Sequence, residues 1–165
     1  MIDVEEQLAR AVSLRESGAL DQARDLLLHL STVAPDHVQV AYQTAWVHDL
    51  LGLEREAVPF YVRALDGDGL SATERRGAML GLGSTYRSLG MYAEAVGVLA
   101  AGAAEFPGDR ALAVFLAMAR YNAGEAKDAV AALLTLLADT TTDPDIQRYH
   151  RAITFYAEDL DRVWS

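Results

Sequence analysis

Apolar side chains recur along this chain at intervals of three and four residues, with polar positions filling the gaps between them. Leu26, Leu27 and Leu30 form one such stripe, and Val96 and Leu99 belong to another. That spacing places each set on one face of an α-helix and predicts helices throughout. A longer period overlies the short one. Gly18, Gly52, Gly90 and Gly124 are separated by 34, 38 and 34 residues, and an alanine follows each by five positions: Ala23, Ala57, Ala95 and Ala129. A small residue precedes each glycine by seven positions: Ala11, Ala45, Gly83 and Ala117. The pattern predicts a repeat of two helices with the glycine in the turn, where a left-handed backbone costs glycine little. The small residues then mark where the two helices cross. Pro35 and Pro107 follow their turn glycines by 17 positions and predict the end of a second helix.

Two features break the register. Four extra residues fall within Asp66–Ser71, and Ser71 with Glu74 reads as a capping box. The first helix of the third repeat should therefore begin near Ala72 and run one turn longer. Further on, Asp143-Pro144 reads as an N-cap with proline at the first helical position. The helix expected over 144–164 carries Ile146, Tyr149, Ile153, Tyr156, Leu160 and Val163 on one stripe, to pack on the fourth repeat. Asp3 with Glu6 reads as a matching capping box at the front.

These positions resemble the tetratricopeptide repeat. The third repeat fits best, with Leu82, Gly83, Tyr86, Gly90, Ala95 and Pro107 on the motif. Elsewhere Leu14, His48 and Arg120 stand at the place of the aromatic Tyr86, and Gly69 and Thr141 at the place of the terminal proline. The resemblance implies one all-α domain over 1–165, a right-handed helix–turn–helix solenoid. Its repeats would span about 4–37, 38–71, 76–109 and 110–143, with a capping helix over about 144–164. The run from Leu82 to Gly90 is also similar to a group of single-domain bacterial tetratricopeptide proteins, which implies a bacterial protein and a homodimer.

Composition agrees with helix and narrows the chemistry. The chain has 29 alanines and 23 leucines among 165 residues, with four prolines. Fourteen basic residues stand against 24 acidic ones, a formal charge of −10, which argues against a nucleic-acid partner. The 52% apolar content argues against disorder. No apolar stretch is long enough to span a bilayer, and the acidic opening residues do not read as a secretory signal, so a cytoplasmic protein away from membranes is expected. There is no cysteine, hence no thiolate chemistry or cysteine zinc site.

Catalytic patterns are weak one by one. Gly81-Leu82-Gly83 begins like a dinucleotide loop but lacks the third glycine and a preceding strand, so close helix packing explains it better. Asp66 and Asp68 between glycines fail the calcium-loop pattern, because Gly77 stands where the bidentate glutamate belongs. His29, His37, His48 and His150 form no pair at helical metal-binding spacing. His48, in the aromatic place, reads as a hydrogen-bonded core histidine. No enzyme activity, cofactor or metal is expected.

The expected binding surface is the concave face lined by first helices, at positions ten, six and three before each turn glycine. These are Leu8, Val12 and Arg15; Tyr42, Trp46 and Asp49; Leu80, Ser84 and Arg87; and Val114, Met118 and Tyr121, with Phe115, Gln43 and Asn122 alongside. Aromatics with polar tips suit a protein partner, and Arg15 and Arg87 suit a carboxylate. The family's clamp for chaperone tails is missing, since Leu8, Val12, Gln43, Gly77 and Gly81 hold its places. The expected function is a non-enzymatic module gripping a partner peptide or helix. Alternatives are a homodimeric scaffold joined through Phe155 and Trp164, and a peptide or small-ligand sensor with His48, Asp49 and Tyr121 as its polar groups.

Overall fold

The computed structural model describes residues 3–164, and every regular element among them is a helix. The chain divides into two compact bodies, Met1–Met91 and Tyr92–Ser165. The first holds α1 (Val4–Glu16), α2 (Leu20–Val33), α3 (Val38–Leu50), α4 (Glu54–Asp66) and α5 (Ala72–Ser88). The second holds α6 (Tyr92–Glu105), α7 (Arg110–Asn122), α8 (Ala126–Thr140), α9 (Pro144–Gln147) and α10 (His150–Ala157).

The four turn glycines carry φ values of +84°, +72°, +77° and +88°, all left-handed. Each ends its helix with the same pair of backbone bonds. The N–H after the glycine returns to the carbonyl four residues before it, Ala19 to Leu14, Leu53 to His48, Met91 to Tyr86 and Glu125 to Arg120, each at 2.9 Å. The glycine N–H bonds to the carbonyl three residues back, at 3.0–3.2 Å. This double closure satisfies orphan carbonyls and requires φ > 0 at the glycine. The recurring glycine is thus a backbone requirement of the turn.

In the first body, neighbouring helices pack in order, and α3 also touches α1 and α5. Ala11, Ala23, Ala45 and Ala57 are fully buried at the helix crossings, as their phase predicts. Leu27, Leu30, Val40 and Val47 fill the space between them. The Ser71 capping box forms with both of its bonds, and α5 runs for 17 residues where α1 and α3 run for 13. The extra residues before it fold back on α3, where Gln39 Nε2 donates to the Gly69 carbonyl at 2.9 Å.

In the second body α6 packs on α7, α7 on α8, and α8 on α10. Leu99, Leu112 and Ala119 are fully buried there. Asp143 caps α9 as expected, accepting from the N–H groups of Asp145 and Ile146. The continuous helix expected over 144–164 is instead two short helices. Two bonds pin the break to the end of α8: Gln147 Nε2 to the Thr141 carbonyl and His150 Nε2 to Asp139 Oδ1, both 2.9 Å. A stripe needs an unbroken helix to stay on one side, so Tyr149, Tyr156 and Val163 end up exposed. Ala157 is the buried side chain of α10.

Candidate functional site

The first-helix faces of the N-terminal body bring together much of the expected lining. The Arg15 guanidinium lies 3.7 Å from the centre of the Trp46 ring, with Nε donating to Gln43 Oε1 at 3.1 Å. A planar cation on an indole face, fixed edge-on by an amide oxygen, is an ordered platform. Trp46 is half-buried, and its ring also meets Tyr42 at 5.7 Å. Leu80, Ser84 and Arg87 on α5 and Val12 on α1 are half-buried.

Three expected lining residues are committed to the fold. Leu8 belongs to the hydrophobic cluster of α1, α2 and α3. Tyr42 is only 7% exposed because its hydroxyl end lies against Gly77, where a Cβ would collide with it. Burial pushes the Tyr42 hydroxyl up from its ordinary range, with Arg15 and Arg76 opposing the shift and Glu74 adding to it. Arg15 already has Gln43 and Trp46 as partners, so its guanidinium is oriented by the protein itself. Tyr42 and Arg15 are drawn inward because the facing helix offers a small residue in one case and an acceptor in the other.

Asp49 sits at the centre of a second network. The Tyr61 hydroxyl donates to its Oδ2 at 2.7 Å. The Thr85 hydroxyl lies 2.8 and 2.9 Å from the two carboxylate oxygens and 2.8 Å from the Gly81 carbonyl, so its one proton is shared among them. Burial raises the Asp49 carboxyl above its ordinary range, and the Tyr61 and Thr85 bonds oppose that. Burial, together with the charge of Asp49, likewise drives the Tyr61 hydroxyl upward. Tyr61 packs onto Gly81, so the Gly81-Leu82-Gly83 segment does serve close helix packing. Sequence reasoning missed Tyr61 and Thr85. Tyr61 stands nine residues after its turn glycine, where the first and third repeats hold the fully buried Leu27 and Leu99. A hydroxyl in a core place is a signal that a buried acceptor faces it.

His48 is 4% exposed, donates from Nδ1 to the Thr44 carbonyl at 2.7 Å and stacks on Phe60 at 5.5 Å. It is the core histidine its place predicts, and its burial removes it from the polar groups of a sensor pocket. In the C-terminal body, Phe115 and Met118 are half-buried on α7 and Tyr121 is exposed. Phe155 and Trp164 stack at 5.2 Å, both about half exposed, with the Arg162 guanidinium 4.0 Å from the indole centre.

A helix–turn–helix repeat with ordered aromatic and cationic side chains on its first helices defines a class of protein-interaction scaffolds. A family model described as tetratrico peptide repeat matches residues 38–160. The chain belongs to the tetratricopeptide repeat family, a family of generally non-catalytic modules for protein–protein interaction. A crystal structure of MamA is similar over 99% of this chain and 80% of its own, with a TM-score of 0.73 at 16% identity. Another MamA structure, from AMB-1, covers 89% and 79%, with TM-score 0.73 and 19% identity. A putative kinesin light chain of Podospora anserina, with nearly identical TPR-like repeats, covers 96% and 88%, with TM-score 0.66 and 19% identity. At these identities the likeness shows the fold alone. No curated protein matches the chain significantly. None of the described helices is long and apolar enough to cross a membrane.

Proposed function

We propose that the chain is a non-enzymatic interaction module that holds a peptide or helix of a partner protein against the first-helix face of its N-terminal body. The observation that carries this reading is the Arg15–Trp46 stack, a half-buried indole pre-ordered by a fixed cation. Ordering before binding lowers the entropy cost of association, which is where such a face gains affinity. Trp46 and Leu80 would take apolar side chains, and Arg87 would fix polarity by receiving a carboxylate. Met118 and Tyr121 are the corresponding candidates on α7.

The test is a selection of displayed random peptides on the wild-type protein, repeated on a Trp46→Ala, Arg87→Ala variant of unchanged helicity. Enriched peptides should bind the variant at least tenfold more weakly. Enrichment of the same peptides on both proteins with equal affinity would sink the reading.

A second reading, a homodimer joined through the C-terminal segment, is favoured by the exposed Phe155–Trp164 stack. An isologous contact about a twofold axis would cover both copies of the stack at once. Sedimentation equilibrium should then show a dimer that Trp164→Ala weakens; a monomer at high micromolar concentration would exclude it.

A further inference from the structure

The repeat has a paired position that the fourth copy leaves unfilled. It consists of the residue four before the turn glycine and the residue eight after it. In the second repeat these are His48 and Phe60, whose rings stack at 5.5 Å and 24°. In the first they are Leu14 and Leu26, both packed against the core cluster. The third has Tyr86 and Val98, and the fourth has Arg120 and Ala132. Two apolar or aromatic side chains are thus replaced by a cation and a methyl group.

The space shows in the C-terminal body as an open cleft of about 470 Å³ between α7, α8 and α10. Arg120 and Ala132 both line it, with Ala113 and Ala131 adding further small walls and Asp128 and Glu158 adding two carboxylates. Arg120 is anchored at one edge. Its carbonyl accepts the Glu125 N–H at 2.9 Å, and its Nε lies 3.6 Å from Glu125 Oε2. The first and third turns carry Leu14 with Ala19 and Tyr86 with Met91 at these two positions. Here an ion pair stands at the places of two apolar side chains. The Arg120 Nε is buried and makes no hydrogen bond.

A planar cation beside alanine walls suits the face of an aromatic ring, since the ring's negative face attracts the guanidinium. With Arg120 already paired to Glu125, Asp128 and Glu158 leave a net negative site, which selects a ligand with positive charge. We propose that this open cleft binds an aromatic ring carrying an ammonium group, such as an arylalkylamine or the free amino terminus of a peptide that begins with an aromatic residue. The ring takes the place that Phe60 fills in the second repeat, and the ammonium reaches Asp128 and Glu158. This site is separate from the first-helix face of the N-terminal body and does not depend on it.

Titration of the full chain with tryptamine, tryptophanyl-glycine amide and indole-3-propionate, followed by the methyl signals of Ala131 and Ala132, tests the proposal. Saturable shifts are expected with both ammonium probes, with at least tenfold weaker binding of the anionic indole. Tighter binding of the peptide amide would identify a peptide terminus as the source, and tighter binding of tryptamine a free amine. Ala132→Phe supplies the ring internally, and should abolish tryptamine binding while leaving helicity unchanged. If that variant fails to fold, Asp128→Asn with Glu158→Gln carries the same test, and should erase the preference for ammonium over carboxylate. Absence of saturable shifts with tryptamine, or equal binding of the ammonium and carboxylate probes to the wild type, would overturn the assignment.

Discussion

Adding a single methyl group at Gly81 should disrupt the N-terminal body. A Cβ there would lie 2.5 Å from Tyr61 Cζ and 2.9 Å from Cε1. Real Cβ atoms do not approach that closely, so the ring or α5 must move. The ring has little freedom, because Tyr61 is 2% exposed and its hydroxyl is bound to Asp49 at 2.7 Å. Overpacking of this kind costs about 1–3 kcal/mol. Displacing the ring also weakens a hydrogen bond to a charged group, worth about 1.5–3 kcal/mol. Against this, alanine is the better helix former by about 1 kcal/mol. Gly81→Ala should therefore destabilise by about 1.5–5 kcal/mol. Urea unfolding followed by Trp46 fluorescence reads the N-terminal body directly when Trp164, the second of two tryptophans, is replaced by Phe. Tyr61→Phe removes the hydroxyl, so the double variant should cost less than the sum of the two single changes. Stability equal to or above wild type in Gly81→Ala would refute the close-packing account of α5.

The opposite sign is expected at Gly97, inside α6, where an added Cβ meets nothing within 4 Å and the backbone is not left-handed. Gly97→Ala should stabilise by about 0.5–1 kcal/mol, read as a shift in the urea midpoint; destabilisation would show that this glycine serves a contact. Asp49 should leave a pH signature. Its folded-state carboxyl is raised above the ordinary value of 3.8, so the folded state holds the proton more tightly than the unfolded chain. The stability contributed this way is fully present below 3.8 and is lost as pH rises through the raised value. The stability of wild type relative to Asp49→Asn should therefore grow as the pH falls from about 7 towards about 4. A difference that shrinks over that interval would reverse the burial argument.

The lengthened α5 and the buried His48 illustrate how much local chemistry can disclose. Ser71 and Glu74 specify a helix start through bonds spanning three residues, and the structure forms both. His48 stands where the repeat requires a packed side chain, and the carbonyl that satisfies it belongs to Thr44 in the same helix. In both cases the partners lie within one turn, and a local pattern suffices. Tyr42 and Leu8 show the limit. The same spacing places them on the first-helix face beside Trp46, yet they are buried and Trp46 is only half-buried. Tyr42 turns inward because Gly77, 35 positions away, leaves room for its hydroxyl end. The broken C-terminal stripe has a similar origin, in bonds from Gln147 and His150 back to α8.

The sequence alone therefore determined the helices of the four repeats, their turns, the repeat phase and the small residues at the crossings, because each rests on backbone geometry or contacts within a turn or two. Tertiary structure decided which first-helix side chains are consumed by the fold and which remain to meet a partner. It paired Arg15 with Gln43 and Trp46, and Asp49 with Tyr61 and Thr85, across 12 to 36 positions. It also left open the space beside Ala132. The physical reason is that a helical stripe specifies a direction, whereas burial depends on the size and polarity of what the facing helix presents.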